Sequence, residues 1–411
     1  MLRRPLRNLG WLLGSRGINA AFSLIYLALS TRTLGLADFG RFALIVVMAQ
    51  AVAGMASFSA WQAVVHWGAA AGRREAAAGF AAALDLASVL GGSVLAAAVA
   101  WSAPLWLPLP PDLRWTALCL CLAALCAIRS TPTGMLRLHD RYDLATAAEA
   151  VLPAIRAAGA VLAALAFPTI GGFVAAWGVA ELFCAAAYWR FASQLQPMRM
   201  ADVSLTRLPR DEPGAWRFVW ATSLSRSVAV TSKQVVVLLV GAIGGPAVAG
   251  GFRVASQLGL ALVQLGEAVS RALYPELVRS RDHAPGLAAK VAGIAFGAGL
   301  AAVTVAAVAG EWIVAAVAGP RFAFAHGAMV LLALAGTAEL IAASADALLV
   351  AHRQALRAFL LRAGPLAAAL LALPFAVRAF GLAGAASCML LASAGGAAGL
   401  TYMAFGRGVR R

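Results

Sequence analysis

Apolar positions run in long blocks along this chain rather than in the alternating or one-faced stripes of a soluble fold. Residues 86–111, 157–180, 291–310 and 382–405 contain no Asp, Glu, Lys or Arg at all. Each exceeds or matches the ~20 residues a helix needs to cross hydrocarbon. Between them lie further apolar blocks broken by one or two charges. Together they predict helices over 9–35, 42–67, 77–102, 114–137, 144–167, 172–195, 215–241, 247–278, 287–310, 325–352, 354–378 and 382–406. Only helices and closed barrels satisfy every backbone group in lipid, and these blocks are too long and too evenly apolar for barrel strands. The expected fold class is an all-α membrane protein of about twelve transmembrane helices.

Composition agrees. Of 411 residues, 62% are apolar and only 12% are charged, roughly half the charged share of a soluble domain. The formal charge of +16 raises the question of nucleic acid, and its distribution answers it. With both termini inside, the cytoplasmic side receives Arg3, Arg4, Arg7, Arg73, Arg74, Arg137, Arg141, Arg190, Arg199, Arg207, Arg210, Arg217, Arg279, Arg281, Lys290, Arg353, Arg357, Arg407, Arg410 and Arg411. The other side receives Arg32, Arg41, Arg114, Arg321 and Arg378. That bias is the positive-inside rule, which predicts a multi-pass bacterial inner-membrane protein with cytoplasmic termini and no nucleic-acid partner. Arg3, Arg4 and Arg7 before an apolar run imitate a signal peptide, but Arg16 and Asn19 interrupt it, so the segment is expected to stay as the first helix.

The one sizeable loop, 196–214, divides the chain into an N-terminal lobe (1–195), a cytoplasmic linker and a C-terminal lobe (215–411). An internal repeat at an offset of 210 positions supports the division: Ser15-Arg16 matches Ser225-Arg226, and Gly35, Ala37, Gly40 and Phe42 match Gly245, Ala247, Gly250 and Phe252. A second echo, at an offset of 212, pairs Leu136, Arg141 and Leu144 with Leu348, Arg353 and Leu356. Both imply six-helix lobes of the same orientation, a parallel repeat around a central cavity. Gly293/Gly297 and Gly395/Gly399 are expected to allow close helix packing.

Eight basic residues fall inside the predicted spans. Against lipid they would cost about 2.5–3.5 kcal/mol each. Arg129, Arg271 and Arg362 lie near cytoplasmic helix ends and are expected to snorkel. Arg271 follows Glu267 by four positions and Arg156 follows Glu149 by seven, so both are expected to pair locally. Arg16, Arg226, Lys233 and Arg253 have no acidic residue three or four positions away. Arg226 and Lys233 lie two turns apart on one helix face near Thr222, Ser223 and Ser227, and Arg16 holds the repeat-equivalent place beside Ser15 and Asn19. These four suit a phosphate-bearing ligand, because guanidinium and ammonium groups give charge-assisted hydrogen bonds to phosphate oxygens. Pairing with acids on neighbouring helices is the alternative. Glu339 and Asp346, two turns apart, form either a stripe coupling transport to H+ or Na+, or structural partners for cations.

No chemistry of a resident cofactor or metal is legible. Cys119, Cys121, Cys126, Cys184 and Cys388 all sit in apolar segments and read as small core residues. His66, His139, His283, His326 and His352 are isolated, and no nucleophile–base pair or metal-ligand cluster is present.

Three runs resemble the polysaccharide-precursor flippases of the Wzx type, in the multidrug/oligosaccharidyl-lipid/polysaccharide exporter superfamily. They are Thr31-Arg32-Thr33-Leu34-Gly35-Leu36-Ala37-Asp38-Phe39-Gly40, then Thr133-Gly134-Met135-Leu136-Arg137-Leu138-His139-Asp140-Arg141-Tyr142-Asp143, then Gly244-Gly245-Pro246-Ala247-Val248-Ala249-Gly250-Gly251-Phe252-Arg253-Val254-Ala255 leading to Leu273-Tyr274-Pro275-Glu276-Leu277. The resemblance implies two lobes forming a V-shaped, basic cavity that opens alternately to each side and flips a polyprenyl-pyrophosphate-linked oligosaccharide, with a glycan polymerase and other assembly proteins as partners. It also implies functional roles for Arg16 and Asp38. The competing readings are a drug or cation exporter of the same superfamily, expected to carry an acidic lumen, and a membrane enzyme of glycan assembly, a polymerase or transferase, expected to carry a large outward loop. The surplus of bases and the short outward connections speak against both.

Overall fold

The computed structural model describes residues 3–70, 72–278, 284–351 and 355–405. The chain is an all-α membrane protein; the described residues contain no strand. The N-terminal half comprises α1 (Arg3–Ala56), α2 (Ala60–Gly68), α3 (Arg74–Trp106), α4 (Arg114–Cys126), α5 (Ser130–Leu138), α6 (Tyr142–Ala166) and α7 (Ile170–Leu195). A short α8 (Arg207–Asp211) follows, then α9 (Ala215–Val278), α10 (Ala284–Ala318), α11 (His326–Ala351) and α12 (Ala355–Phe405). Among the described residues nine helical stretches are long and apolar enough to span a membrane.

Three of the helices are too long for one crossing. α1 has 54 residues, α9 64 and α12 51, or roughly 75–95 Å at 1.5 Å per residue against ~30 Å of hydrocarbon. Each is interrupted by one non-helical glycine: Gly35 (φ 73°, ψ −172°), Gly245 (φ 82°, ψ 177°) and Gly381 (φ 55°, ψ −129°). The sequence reading separated these segments by loops of several residues. A single glycine does the same work, because a residue without Cβ enters this backbone region at no steric cost. Counting each interrupted stretch as two segments gives the expected twelve.

The repeat is visible in the backbone. Gly35 and Gly245, matched at offset 210, share nearly the same dihedral angles. The matched glycines also pack reciprocally. A Cβ on Gly40 would fall onto the Pro246 carbonyl, and one on Gly250 would lie 3.2 Å from the Gly40 backbone and 3.3 Å from the Leu36 carbonyl oxygen.

The chain forms two compact units. One joins Ala21–Leu34 to Arg41–Leu238; the other holds the described residues before Ala21, Gly35–Gly40 and those from Leu239 onward. In the first, Val64, Phe80, Leu84, Met135, Leu136, Cys184, Leu208 and Val219 share one buried core. In the second, Ala342, Ala345 and Leu349 of α11 meet Ala358, Ala397 and Leu400 of α12. Among the predicted glycine contacts, Gly395 and Gly399 do pack against Pro365 and Leu361, but Gly293 and Gly297 face open space, and the tight approaches on α10 are made by Gly299 against Thr337 and Gly310 against Met329 and His326. Cys121, Cys184 and Cys388 are buried as expected, whereas Cys119 and Cys126 are exposed on their helix, which an apolar solvent tolerates.

Candidate functional site

Two predicted spans are broken inside the first unit. The block read as 42–67 stops being helical at residues 57–59, and the block read as 114–137 stops at residues 127–129. A broken helix in lipid exposes backbone donors that water cannot reach. Side chains of neighbouring helices take them up here. Ser88 Oγ accepts from Phe58 N (3.3 Å), Ser223 Oγ from Ser59 N (2.9 Å) and Ser130 Oγ from Trp61 N (2.9 Å). Asp85, on α3, accepts from both the backbone N–H and the hydroxyl of Thr131, at 2.8 and 2.7 Å, and so caps the start of α5. Gly134 lets α5 lie directly on the backbone of Trp61 in α2.

This arrangement gives a first prediction. Asp85→Ala would leave both Thr131 donors without an acceptor, at a cost of about 1–3 kcal/mol each. The unfolding midpoint in detergent should fall markedly, and Asp85→Asn, which keeps one carbonyl acceptor, should recover most of the loss. Equal midpoints for Asp85→Ala and wild type would show that the cap carries no stability.

Beside the second break lies an ion network. Arg129 donates to Glu181 Oε2 at 3.1 Å and faces Glu149 Oε1 at 3.8 Å; Arg156 donates to Glu181 Oε1 at 2.5 Å; the Tyr188 hydroxyl donates to Glu149 Oε2 at 3.1 Å. The Arg156 guanidinium also lies 3.6 Å from the centre of the Trp177 ring. Two readings from sequence are corrected by this geometry. Arg129 does not snorkel, because two carboxylates on α6 and α7 hold it inside. Arg156 pairs with Glu181 rather than with Glu149 on its own helix, because α6 packs along α7. The network is neutral, two arginines against two glutamates, so its charges are consumed by one another. It ties α4, α5, α6 and α7 together and offers no surplus cation to a ligand.

The residues singled out for binding lie elsewhere. Arg226 is exposed on α9 and pairs with no carboxylate among the described residues. Lys233 is exposed two turns further along the same segment, and Arg253 is half-buried beyond Gly245. Asp38 is half-buried just after the Gly35 interruption. The side chains of Arg16, Glu267 and Arg271 lie outside the described residues. Glu339 accepts from the Ser393 hydroxyl at 3.2 Å, and Asp346 pairs with Arg362 at 3.4 Å, so Arg362 is held by an acid and does not snorkel freely. Among the described residues no group of three His, Cys, Asp or Glu side chains is arranged to hold a metal.

Sequence reasoning missed the helix breaks and their caps. One signal was available: Ser130-Thr131-Pro132 in the middle of an apolar block is a helix-start pattern, since proline is tolerated in a first turn and disrupts a helix interior.

No family model matches the chain. Inner membrane protein YghQ of Escherichia coli (strain K12) is 29% identical over 291 residues, covering 67% of this chain and 81% of that protein. Among solved structures, the lipid II flippase MurJ in an inward closed conformation superposes with a TM-score of 0.74 at 12% identity, over 94% of this chain and 86% of that one. An inward-facing multidrug resistance MATE family transporter of the MOP superfamily gives a TM-score of 0.68 at 15% identity, over 93% of each chain. The chain therefore has the MOP-superfamily transporter fold.

Proposed function

We propose that this multi-pass inner-membrane protein is a flippase that moves a polyprenyl-pyrophosphate-linked oligosaccharide from the cytoplasmic to the outer leaflet for surface polysaccharide assembly. Arg226 carries the reading: an exposed guanidinium inside the span predicted over 215–241, without a carboxylate partner among the described residues, two turns from Lys233 on a hydroxyl-bearing helix. An arginine so placed in lipid is costly unless it lines a wet or anionic environment, and a pyrophosphate is a matching ligand. The fold shared with a lipid II flippase supports a lipid-linked substrate, and the relation to an inner-membrane protein supports the location.

In this account Arg16, Arg226, Lys233 and Arg253 engage the pyrophosphate while the polyprenyl chain stays in the bilayer, which spares its dehydration. Rocking of two lobes around a cavity then exposes the glycan outside. Asp38 serves gating, and Glu339 and Asp346 serve coupling to H+ or Na+; their contacts to Ser393 and Arg362 are the arms that a proton or cation would exchange. A glycan polymerase would take the product on the outer face.

A deletion strain tests the substrate class. It should accumulate a polyprenyl-pyrophosphate oligosaccharide on the cytoplasmic side and lose surface polysaccharide, both restored by the wild-type gene. A normal lipid-linked pool with heightened sensitivity to cationic compounds would replace this reading with that of a drug exporter of the same fold.

A further inference from the structure

The segment between α7 and α9, expected as a plain cytoplasmic linker, is folded onto one end of the first unit. Gln196 Nε2 donates to the Arg74 carbonyl and Ser204 N to the Gly79 carbonyl, each at 3.4 Å. A Cβ on Gly79 would strike the Asp202 carbonyl, so the segment runs in direct contact with the first turns of α3. Arg73, the residue just before α3, bonds Glu212, and Leu208 is fully buried in the core that holds Phe80 and Ala215. The segment is thus a strap, anchored at both ends and at its middle.

What the strap turns outward is basic and apolar together. Two of its acids are used up, Asp202 by Arg207 at 3.3 Å and Glu212 by Arg73. Arg74, Arg199, Arg210 and Arg217 are exposed and pair with no carboxylate among the described residues, against two exposed acids, Glu75 and Asp211. Between them Met200 is 83% exposed, and Leu205, Trp216 and Trp220 are exposed as well. Arg74 opens α3 and Arg217 lies in the first turn of α9, both of which continue into apolar spans, so this surface sits where membrane meets water. Arginines interleaved with tryptophan and a protruding methionine suit the headgroup layer, where cations meet phosphate and apolar side chains meet the first methylenes.

We propose that the strap, with Arg74 and Arg217, is a docking surface for anionic phospholipid headgroups of the leaflet it faces. Phosphatidylglycerol satisfies it and phosphatidylcholine, being zwitterionic, does not. The surface is separate from Arg226 and Lys233, and its occupancy does not depend on what is transported.

The experiment titrates the purified full chain with phosphatidylglycerol or phosphatidylcholine in neutral detergent and counts bound lipids by native mass spectrometry, with the thermal midpoint recorded alongside. Wild type should retain phosphatidylglycerol and gain several degrees from it, and high salt should weaken the effect. The triple variant Arg199→Gln, Arg210→Gln, Arg217→Gln should bind it on the order of 100-fold more weakly, at about fivefold per arginine, with an unchanged midpoint in phosphatidylcholine. The corresponding triple Arg→Lys variant should keep the preference and serves in its place if the Gln variant proves unfolded. Equal retention of the two lipids by wild type, or loss of the preference in the Lys variant, would overturn the proposal. Undiminished phosphatidylglycerol binding by a folded Gln variant would do so equally.

Discussion

Glu181→Ala is expected to be the most damaging single substitution in the first unit, lowering stability by about 3–5 kcal/mol, the range for removing one partner of a buried pair. Glu181 is the shared acceptor of Arg129 and Arg156, at 3.1 and 2.5 Å, and its side chain is only 15% exposed. Without it Arg156 keeps the face of Trp177, and Arg129 keeps Glu149 at 3.8 Å. A guanidinium left in an apolar interior costs more than the ion pair contributed, because the attraction mainly offset dehydration. The control is a double replacement. Glu181→Met with Arg156→Met removes the charge together with its partner and should recover most of the loss. Unfolding in detergent monitored by near-UV circular dichroism reads both, and a double variant as unstable as Glu181→Ala would show that packing at this position, not charge, sets its worth.

Arg226→Glu should abolish export while the protein stays folded in the membrane. Losing a hydrogen bond between charged groups costs about 2 kcal/mol, equivalent to roughly 30-fold in rate, and the reversed charge adds repulsion of a phosphate. Because Arg226 is exposed and its guanidinium pairs with no carboxylate among the described residues, its replacement breaks no ion pair among them. Surface polysaccharide measured in a complemented deletion strain, with the membrane-bound protein quantified in parallel, separates function from folding. Arg226→Lys should retain most of the export, since a point charge still meets a phosphate. Full export by Arg226→Glu would remove this residue from the binding face.

The two variants touch opposite kinds of intramembrane charge, and the sequence distinguished them only in part. Lipid imposes length and apolarity on a span, so the apolar segments were legible. The repeat was legible because Gly35 and Gly245 are required by one backbone geometry, not by packing, and a required residue recurs. The partners of Arg129 and Arg156 were not legible. Glu181 lies 52 and 25 positions away on another helix, and no periodicity links positions that meet only through helix packing. The helix breaks were hidden for the same reason: Ser88, Ser223 and Asp85 cap donors from distant segments; the serines alone are ordinary small polar residues in a span, and the acid alone does not reveal which segment it caps. The strap was read as a loop from its prolines and charges, and one buried leucine, Leu208, was too weak a signal to show that it folds back onto α3.

The central claim is tested most directly by purified protein in liposomes that carry a polyprenyl-pyrophosphate oligosaccharide initially confined to one leaflet. The measurement is the rate at which the glycan becomes accessible to a membrane-impermeant glycosidase on the opposite side. The account predicts rapid exposure with wild type and none above empty liposomes with Arg226→Glu. Wild-type protein that transports a cationic dye across the same liposomes and leaves the glycan protected would contradict it.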